Sequence, residues 1–322
     1  MIQPKYRTTL PQKNSLFLTD GGLETVMVFQ NGIELPCFAA IDLLRTANGA
    51  KLLAEYFEPY CEIARNAGAG LIVETATWRA SPDWAEPIGF TNLNELADAN
   101  ILAARSAFEI RTKFETPQMP VVVSGCIGPR GDGYSPDTTM TISEAANYHS
   151  WQIGILARSG VDLITAITMP TIEEATGIAL AAKNAKVPAA ISFTVETNGR
   201  LPTGETLEEA IHAVDEATNR SSEYYMINCA HPTHFAETLD NAGAWVGRIK
   251  GIRANASTRS HAELDCACDL DAGDPVQLGR EMADLKTRFP HLTVLGGCCG
   301  TDHRHIAEIA AATAASQSQA AE

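Results

Sequence analysis

Two adjacent cysteines flanked by glycines, Gly296-Gly297-Cys298-Cys299-Gly300, follow the apolar run from Leu292 to Leu295. Consecutive residues of a regular strand point to opposite faces, so both sulfurs reach one point only where the backbone turns sharply. The flanking glycines permit that turn. A second apolar run ends in Asn228-Cys229. Thiolates gathered in this way suit a soft metal, and Cys229, Cys298 and Cys299 read as three ligands of one zinc ion, Zn2+. Structural zinc sites are normally closed by four protein ligands, so three leave a position for substrate, which is a catalytic arrangement. Zinc with three thiolates is already net negative. It polarises carbonyls poorly, but it keeps a substrate thiolate charged and nucleophilic at neutral pH. The natural electrophile is then a cationic methyl donor, a sulfonium or a quaternary ammonium, because displacement cancels charge.

The other thiols and imidazoles read differently. Cys37 and Cys61 stand alone and are expected to be small buried apolar residues. Cys266-Ala267-Cys268 lies in an acidic stretch and reads as a surface loop. His231, His234, His303 and His305 follow the cysteine motifs at expected helix starts, where they cap or support rather than ligate. The glycine-rich stretch from Cys126 to Gly133 reads as a loop, with phosphate cradling as its lesser reading.

These residues need a frame. Apolar runs that read as strands begin near Leu16, Leu71, Pro120, Val161, Ala189, Tyr224, Arg248 and Leu292. Stretches with apolar residues at helical spacing separate them, and Pro59 is expected to kink or split the first long helix. Strict alternation implies parallel strands joined by right-handed crossovers, and eight units favour a closed (β/α)8 TIM barrel, a single α/β domain over residues 1–322. An open dinucleotide-binding sheet would need a G-x-G-x-x-G turn after the first strand, and Asp20-Gly21-Gly22-Leu23-Glu24-Thr25 lacks it. In a barrel the site lies at the C-terminal strand ends. Those ends carry Asp20, Glu74, Thr75, Ser124, Cys126, Thr168, Glu196, Asn228, Cys229, Asn255, Cys298 and Cys299.

Bulk properties narrow the partners. A formal net charge of −15 and the lack of a basic stripe argue against nucleic acid. No apolar run approaches membrane-spanning length, so no membrane partner is expected. The polar N-terminus lacks a signal-peptide apolar region, which makes a cytoplasmic location the expectation. In that compartment the eight cysteines read as reduced thiols or metal ligands rather than a disulfide framework.

Five motifs taken together resemble the homocysteine S-methyltransferase family. They are Asp20-Gly21-Gly22-Leu23-Glu24-Thr25, Glu74-Thr75-Ala76-Thr77, Gly125-Cys126-Ile127-Gly128-Pro129, Asn228-Cys229 and Gly296-Gly297-Cys298-Cys299-Gly300. The resemblance implies a barrel, a Cys229/Cys298/Cys299 zinc site and methyl transfer to a thiol, homocysteine giving methionine. It also implies that Asp20 and Gly21 contact the amino-acid part of the acceptor. Glu74, Thr75, Glu196, Asn228 and Asn255 complete the expected substrate contacts. The expected partners are a small thiol acceptor and a free cationic donor such as S-methylmethionine or S-adenosylmethionine. A homo-oligomer is compatible with the sequence. Two positions depart from the family pattern. Ile167 stands where the family usually carries a Glu for the acceptor's ammonium, and Arg253-Ala254-Asn255 keeps only the Asn of the usual Tyr-Pro-Asn. A buried ammonium needs a carboxylate, so Glu74, Glu196 or Asp20 must take over, or the acceptor is a different thiol. Arg253 meets either an acceptor carboxylate or an acidic neighbour.

Overall fold

The computed structural model describes residues 2–136, 140–267 and 269–320. Eight strands pair in parallel and in sequence order around a closed barrel: β1 Phe17–Leu18, β2 Gly70–Glu74, β3 Val121–Ile127, β4 Leu163–Met169, β5 Ala189–Phe193, β6 Tyr224–Asn228, β7 Ile249–Ala254 and β8 Val294–Gly297. The ring closes where Phe17 and Leu18 pair with Val294 and Leu295. This is the expected (β/α)8 barrel. Both faces of a barrel strand are covered, which is why these segments read as near-continuous apolar runs. All seven residues of β3 are buried.

The helices begin where short polar side chains can take up free backbone N–H groups. Thr141 with Glu144, Thr206 with Glu209 and Ser260 with Glu263 form reciprocal capping boxes. The first of these places the cap of the Ile142–Ser159 helix at Thr141. The Ala47–Asn66 helix runs through Pro59 as one element, so the proline does not split it. Its buried Leu53, Tyr56, Phe57, Tyr60, Cys61 and Ala64 lie on both sides of the proline, and that packing outweighs the roughly 3 kcal/mol helix penalty. The last helix spans His303–Ala320.

Inside the barrel, Phe17, Ile72, Val122, Leu163, Ala190, Tyr224, Met226 and Val294 form a separate apolar cluster, with Leu10 of the N-terminal segment packed into it. Seven strands contribute to that plug. β7 contributes Gly251, where a Cβ would meet Met226 at 2.8 Å and Val294 at 3.1 Å. The plug closes one end of the barrel and leaves the C-terminal strand ends as the open end.

Candidate metal centre and substrate cavity

β8 ends at Gly297, and the chain turns at once. The Cys298 N–H donates to the Ala254 carbonyl (2.8 Å), the Thr301 N–H donates back to the Cys298 carbonyl (3.1 Å), and Gly300 is left-handed with φ of 79°. Gly296 is required by close approach: a Cβ there would lie 1.8 Å from Thr19 Oγ1. Two strands away, Cys229 follows β6 in a left-handed conformation with φ of 53°, which few non-glycine residues adopt. Asn255 Nδ2 holds the Cys229 carbonyl at 3.0 Å. The sulfurs of Cys229, Cys298 and Cys299 all fall within 4.8 Å of one another, and among the described residues no other His, Cys, Asp or Glu joins such a cluster.

The donor set suits zinc. Cys229 and Cys299 sulfurs are 3.7 Å apart. A tetrahedron built on zinc–sulfur bonds of about 2.3 Å has an edge of ~3.8 Å. Burial pushes the Cys299 thiol up to about 11, so a neighbouring cation is what would ionise it. Cys229 and Cys298 are paired as a disulfide, which departs from the expected reduced state at two of the three ligands. Cys37, Cys61, Cys126, Cys266 and Cys299 are free thiols. Cys61 is fully buried as expected, whereas Cys37 is only half-buried. Cys266 is exposed, and Cys268 lies outside the described residues.

The sulfurs border a cavity of about 450 Å³ that also meets Asp20, Gly21, Glu74, Thr75, Ile167, Arg253 and Asn255. Arg253 is the electrostatic centre of its inner wall. Its Nη2 donates to Asp20 Oδ1 (2.6 Å), and its Nε donates to the Gly297 carbonyl (3.1 Å). Tyr56 donates its hydroxyl to Asp20 Oδ2 (3.1 Å). Burial raises the Asp20 pKa and the Arg253 charge opposes that rise. Glu74 is pushed up to about 7 by burial, against the pull of Arg253. Arg253 therefore meets an acidic neighbour, one of its two expected roles.

The remaining residues of interest fall in three places. Asn228 is fully buried behind the sulfurs: its Oδ1 accepts from the Thr168 N–H (2.9 Å) and Ser192 Oγ (2.6 Å), and its Nδ2 reaches Cys298 Sγ at 3.8 Å. Glu196 is half-buried in a turn closed by its N–H on the Arg200 carbonyl (2.8 Å), and it is not among the cavity-lining residues. The histidines act as supports. His231 caps the Pro232–Asp240 helix, His234 Nε2 meets the Thr258 carbonyl (2.9 Å), His303 is exposed, and fully buried His305 bridges Asp302 and the Ala272 carbonyl.

Sequence reasoning missed Tyr134. It donates its hydroxyl to Cys229 Sγ (3.1 Å), and its ring lies 4.1 Å from that of His261. The glycine-rich loop after β3 was the available signal, but nothing in its spacing said that an aromatic residue would swing over the cysteines. Glu24, Trp78 and Arg79, also on the cavity wall, were missed too. Arg79 stacks between Trp78 and Trp84.

A parallel barrel with a three-cysteine cluster at its open end defines a barrel protein with a donor set for a soft metal ion. Comparison with known proteins identifies which one. Residues 17–313 match the family model for homocysteine S-methyltransferase, and the chain belongs to that enzyme family. It is 27% identical to homocysteine S-methyltransferase 1 of Arabidopsis thaliana over 69% of this chain and 70% of that one. It is 30% identical to homocysteine S-methyltransferase 2 of Zea mays over 66% of this chain and 65% of that one. The fold is also that of the Escherichia coli homocysteine methyltransferase MmuM. Its oxidized form superposes with a TM-score of 0.74 at 20% identity, covering 94% of this chain and 97% of that one. Its metallated form gives 0.69 at 18%, covering 93% and 96%.

Proposed function

We propose that this chain moves a methyl group from a small onium donor, S-methylmethionine or S-adenosylmethionine, to a thiol acceptor, homocysteine giving methionine. The observation that carries this reading is the convergence of Cys229, Cys298 and Cys299 on one wall of the cavity. A zinc ion held by those three sulfurs would supply the acceptor as a thiolate at neutral pH. The existence of a metallated form of MmuM supports a metal in this chain.

The protein's own residues do the rest. The acceptor sulfur forms its new bond to the methyl carbon while the donor's onium–carbon bond breaks and its electron pair returns to the leaving group. Thiolate and cation both become neutral, so a desolvated cavity favours the step, and holding both partners in line removes much of the entropic barrier. Asp20, Gly21, Glu74, Thr75 and Asn255 surround the acceptor. Asn228 fixes the strand ends that carry Thr168 and Cys298. Reduction of the Cys229–Cys298 pair must precede metal loading. Among the described residues no helix is long and apolar enough to cross a membrane. A cytoplasmic enzyme made of one domain over residues 1–322 belongs to the same reading.

The test is direct. Reduced, zinc-loaded protein should convert homocysteine to methionine with S-methylmethionine or S-adenosylmethionine. Zinc-free protein should not. Full activity without metal would remove the reading.

A further inference from the structure

A methylating cation that enters the cavity meets the ligand sulfurs as well as the acceptor's, because Cys229, Cys298 and Cys299 all line it. A ligand thiolate that took the methyl would become a neutral thioether and a poor partner for zinc. Selective transfer therefore needs ligand sulfurs that are less nucleophilic than the acceptor's. Tyr134 stands where it can lower that reactivity. Its hydroxyl donates to Cys229 Sγ at 3.1 Å. Several neighbours fix it there. Asp132 Oδ1 accepts from the Tyr134 and Ser135 N–H groups (2.7 and 2.9 Å), an Asx turn that sets the backbone direction at Tyr134. The Tyr134 ring centre lies 4.1 Å from that of His261, whose Nε2 meets the Val195 carbonyl at 3.3 Å. Gly133 packs so closely on Thr168 that a Cβ would meet Thr168 Cγ2 at 2.7 Å. At the base of the loop the Arg130 N–H donates to Glu174 Oε1 (2.7 Å), which fully buried His149 also meets at 2.8 Å.

Resting on the reading that the three cysteines hold zinc and the cavity receives a methyl donor, we propose that Tyr134 is a positioning residue whose hydroxyl protects Cys229 from methylation. The side reaction it opposes forms a bond from the Cys229 sulfur to the methyl carbon and breaks the donor's onium–carbon bond. The electron pair of that bond returns to the leaving group. A thiolate accepts a charge-assisted hydrogen bond, whereas a thioether is a weak acceptor. Tyr134 therefore stabilises the starting thiolate more than a transition state in which the thiolate charge is disappearing, and the barrier to methylation rises. Asn228 Nδ2 approaches Cys298 Sγ at 3.8 Å, a longer contact of the same kind. An acceptor sulfur that receives no such bond keeps its nucleophilicity. Cys229 is 2% exposed, so shielding by the Tyr134 side chain and bonding by its hydroxyl are separated by two different variants.

The test treats reduced, zinc-loaded wild type, Tyr134→Phe and Tyr134→Ala with iodomethane, which is small and needs no donor site, and locates methylated cysteines by peptide mass spectrometry. Tyr134→Phe should methylate Cys229 about five- to twenty-fold faster than wild type, with zinc released in step. Tyr134→Ala should be faster still. If Tyr134→Phe matches wild type and only Tyr134→Ala is faster, the ring merely shields the sulfur and the proposal is overturned. Cobalt substitution gives a readout that a purely structural role would not move. In Tyr134→Phe the sulfur-to-cobalt charge-transfer band should shift to longer wavelength while the tetrahedral band pattern is kept. An unshifted band overturns the proposal, and so does a change of coordination number, which would make Tyr134 a ligand. The transferase reading fails separately. If Tyr134→Phe shows the faster Cys229 methylation but wild type methylates no thiol, the protective role stands and the transferase reading falls. If wild type methylates homocysteine and the two proteins modify Cys229 equally, only the protective role falls. A wild type that binds no zinc overturns both.

Discussion

The two ends of the barrel are filled by opposite chemistry on the same strands. Successive inward positions of a strand are two residues apart. Ile72 therefore gives way to Glu74, Val122 to Ser124, Leu163 to Thr165, Ala190 to Ser192 and Met226 to Asn228. The first member of each pair belongs to the apolar plug. The second belongs to a buried polar layer in which Ser124 bonds Thr165 (2.7 Å) and Ser192 bonds Asn228 (2.6 Å). Above that layer Thr168 and Cys229 adopt left-handed backbone conformations, and Arg253, Glu74 and Asn255 each keep one atom without a partner among the described residues. One end is packed to hold the fold. The other tolerates strain and unmet polarity of the kind that a metal and a substrate relieve.

That contrast can be broken or sharpened by substitution. The largest effect is expected from Cys298→Ser at the polar end: zinc content should fall to background and methyl transfer by at least about a hundredfold, with little change in thermal stability of the reduced, metal-free protein. Metal analysis and initial rates check it. At the apolar end Phe17→Ala should cost about 3–5 kcal/mol in denaturant unfolding while kcat per folded molecule stays near wild type. A large activity loss there would dissolve the distinction between the ends.

Next comes pH. A carboxyl whose pKa is raised by folding stabilises the native state below its unfolded pKa, and that contribution is lost as pH rises through the folded value. Burial lifts Glu74 from 4.5 to about 7. In metal-free protein, Glu74→Gln should therefore gain stability relative to wild type between about pH 4.5 and pH 7, reaching up to about 3 kcal/mol above pH 8. A difference that stays flat across this range would contradict the burial argument. The smallest effect is expected from Thr19→Ser at the Gly296 contact. Removing one methyl group beside a glycine should cost about 1 kcal/mol. By contrast Gly296→Ala should cost several times more in the same unfolding assay, because its Cβ meets Thr19.

The frame and the sulfur cluster were legible because each rests on local signals. Eight apolar runs and the glycine-bounded Cys298-Cys299 pair are patterns of adjacent residues, and the structure gathers all three cysteines where the strand ends place them. What was hidden depends on distance. The pairing of Arg253 with Asp20 joins residues 233 positions apart, and its sequence reading left two roles open. Tyr134 reaches Cys229 through an irregular loop that no periodicity describes. Pro59 misled for a related reason: local propensity predicts a break, and the packing of Tyr56, Phe57 and Tyr60 around it is decided by tertiary contacts. Glu196 sits at a strand end in sequence, yet β5 stops at Phe193 and the following turn carries it off the cavity wall.

The central claim is that Cys229, Cys298 and Cys299 share one ion and leave room on it for the acceptor's sulfur. X-ray absorption at the zinc edge of the reduced, zinc-loaded protein tests this most directly. The account predicts three sulfur neighbours at about 2.3 Å in the resting protein and four after homocysteine is added. A sulfur count that is unchanged by homocysteine, or a resting site already holding four protein ligands, would contradict it.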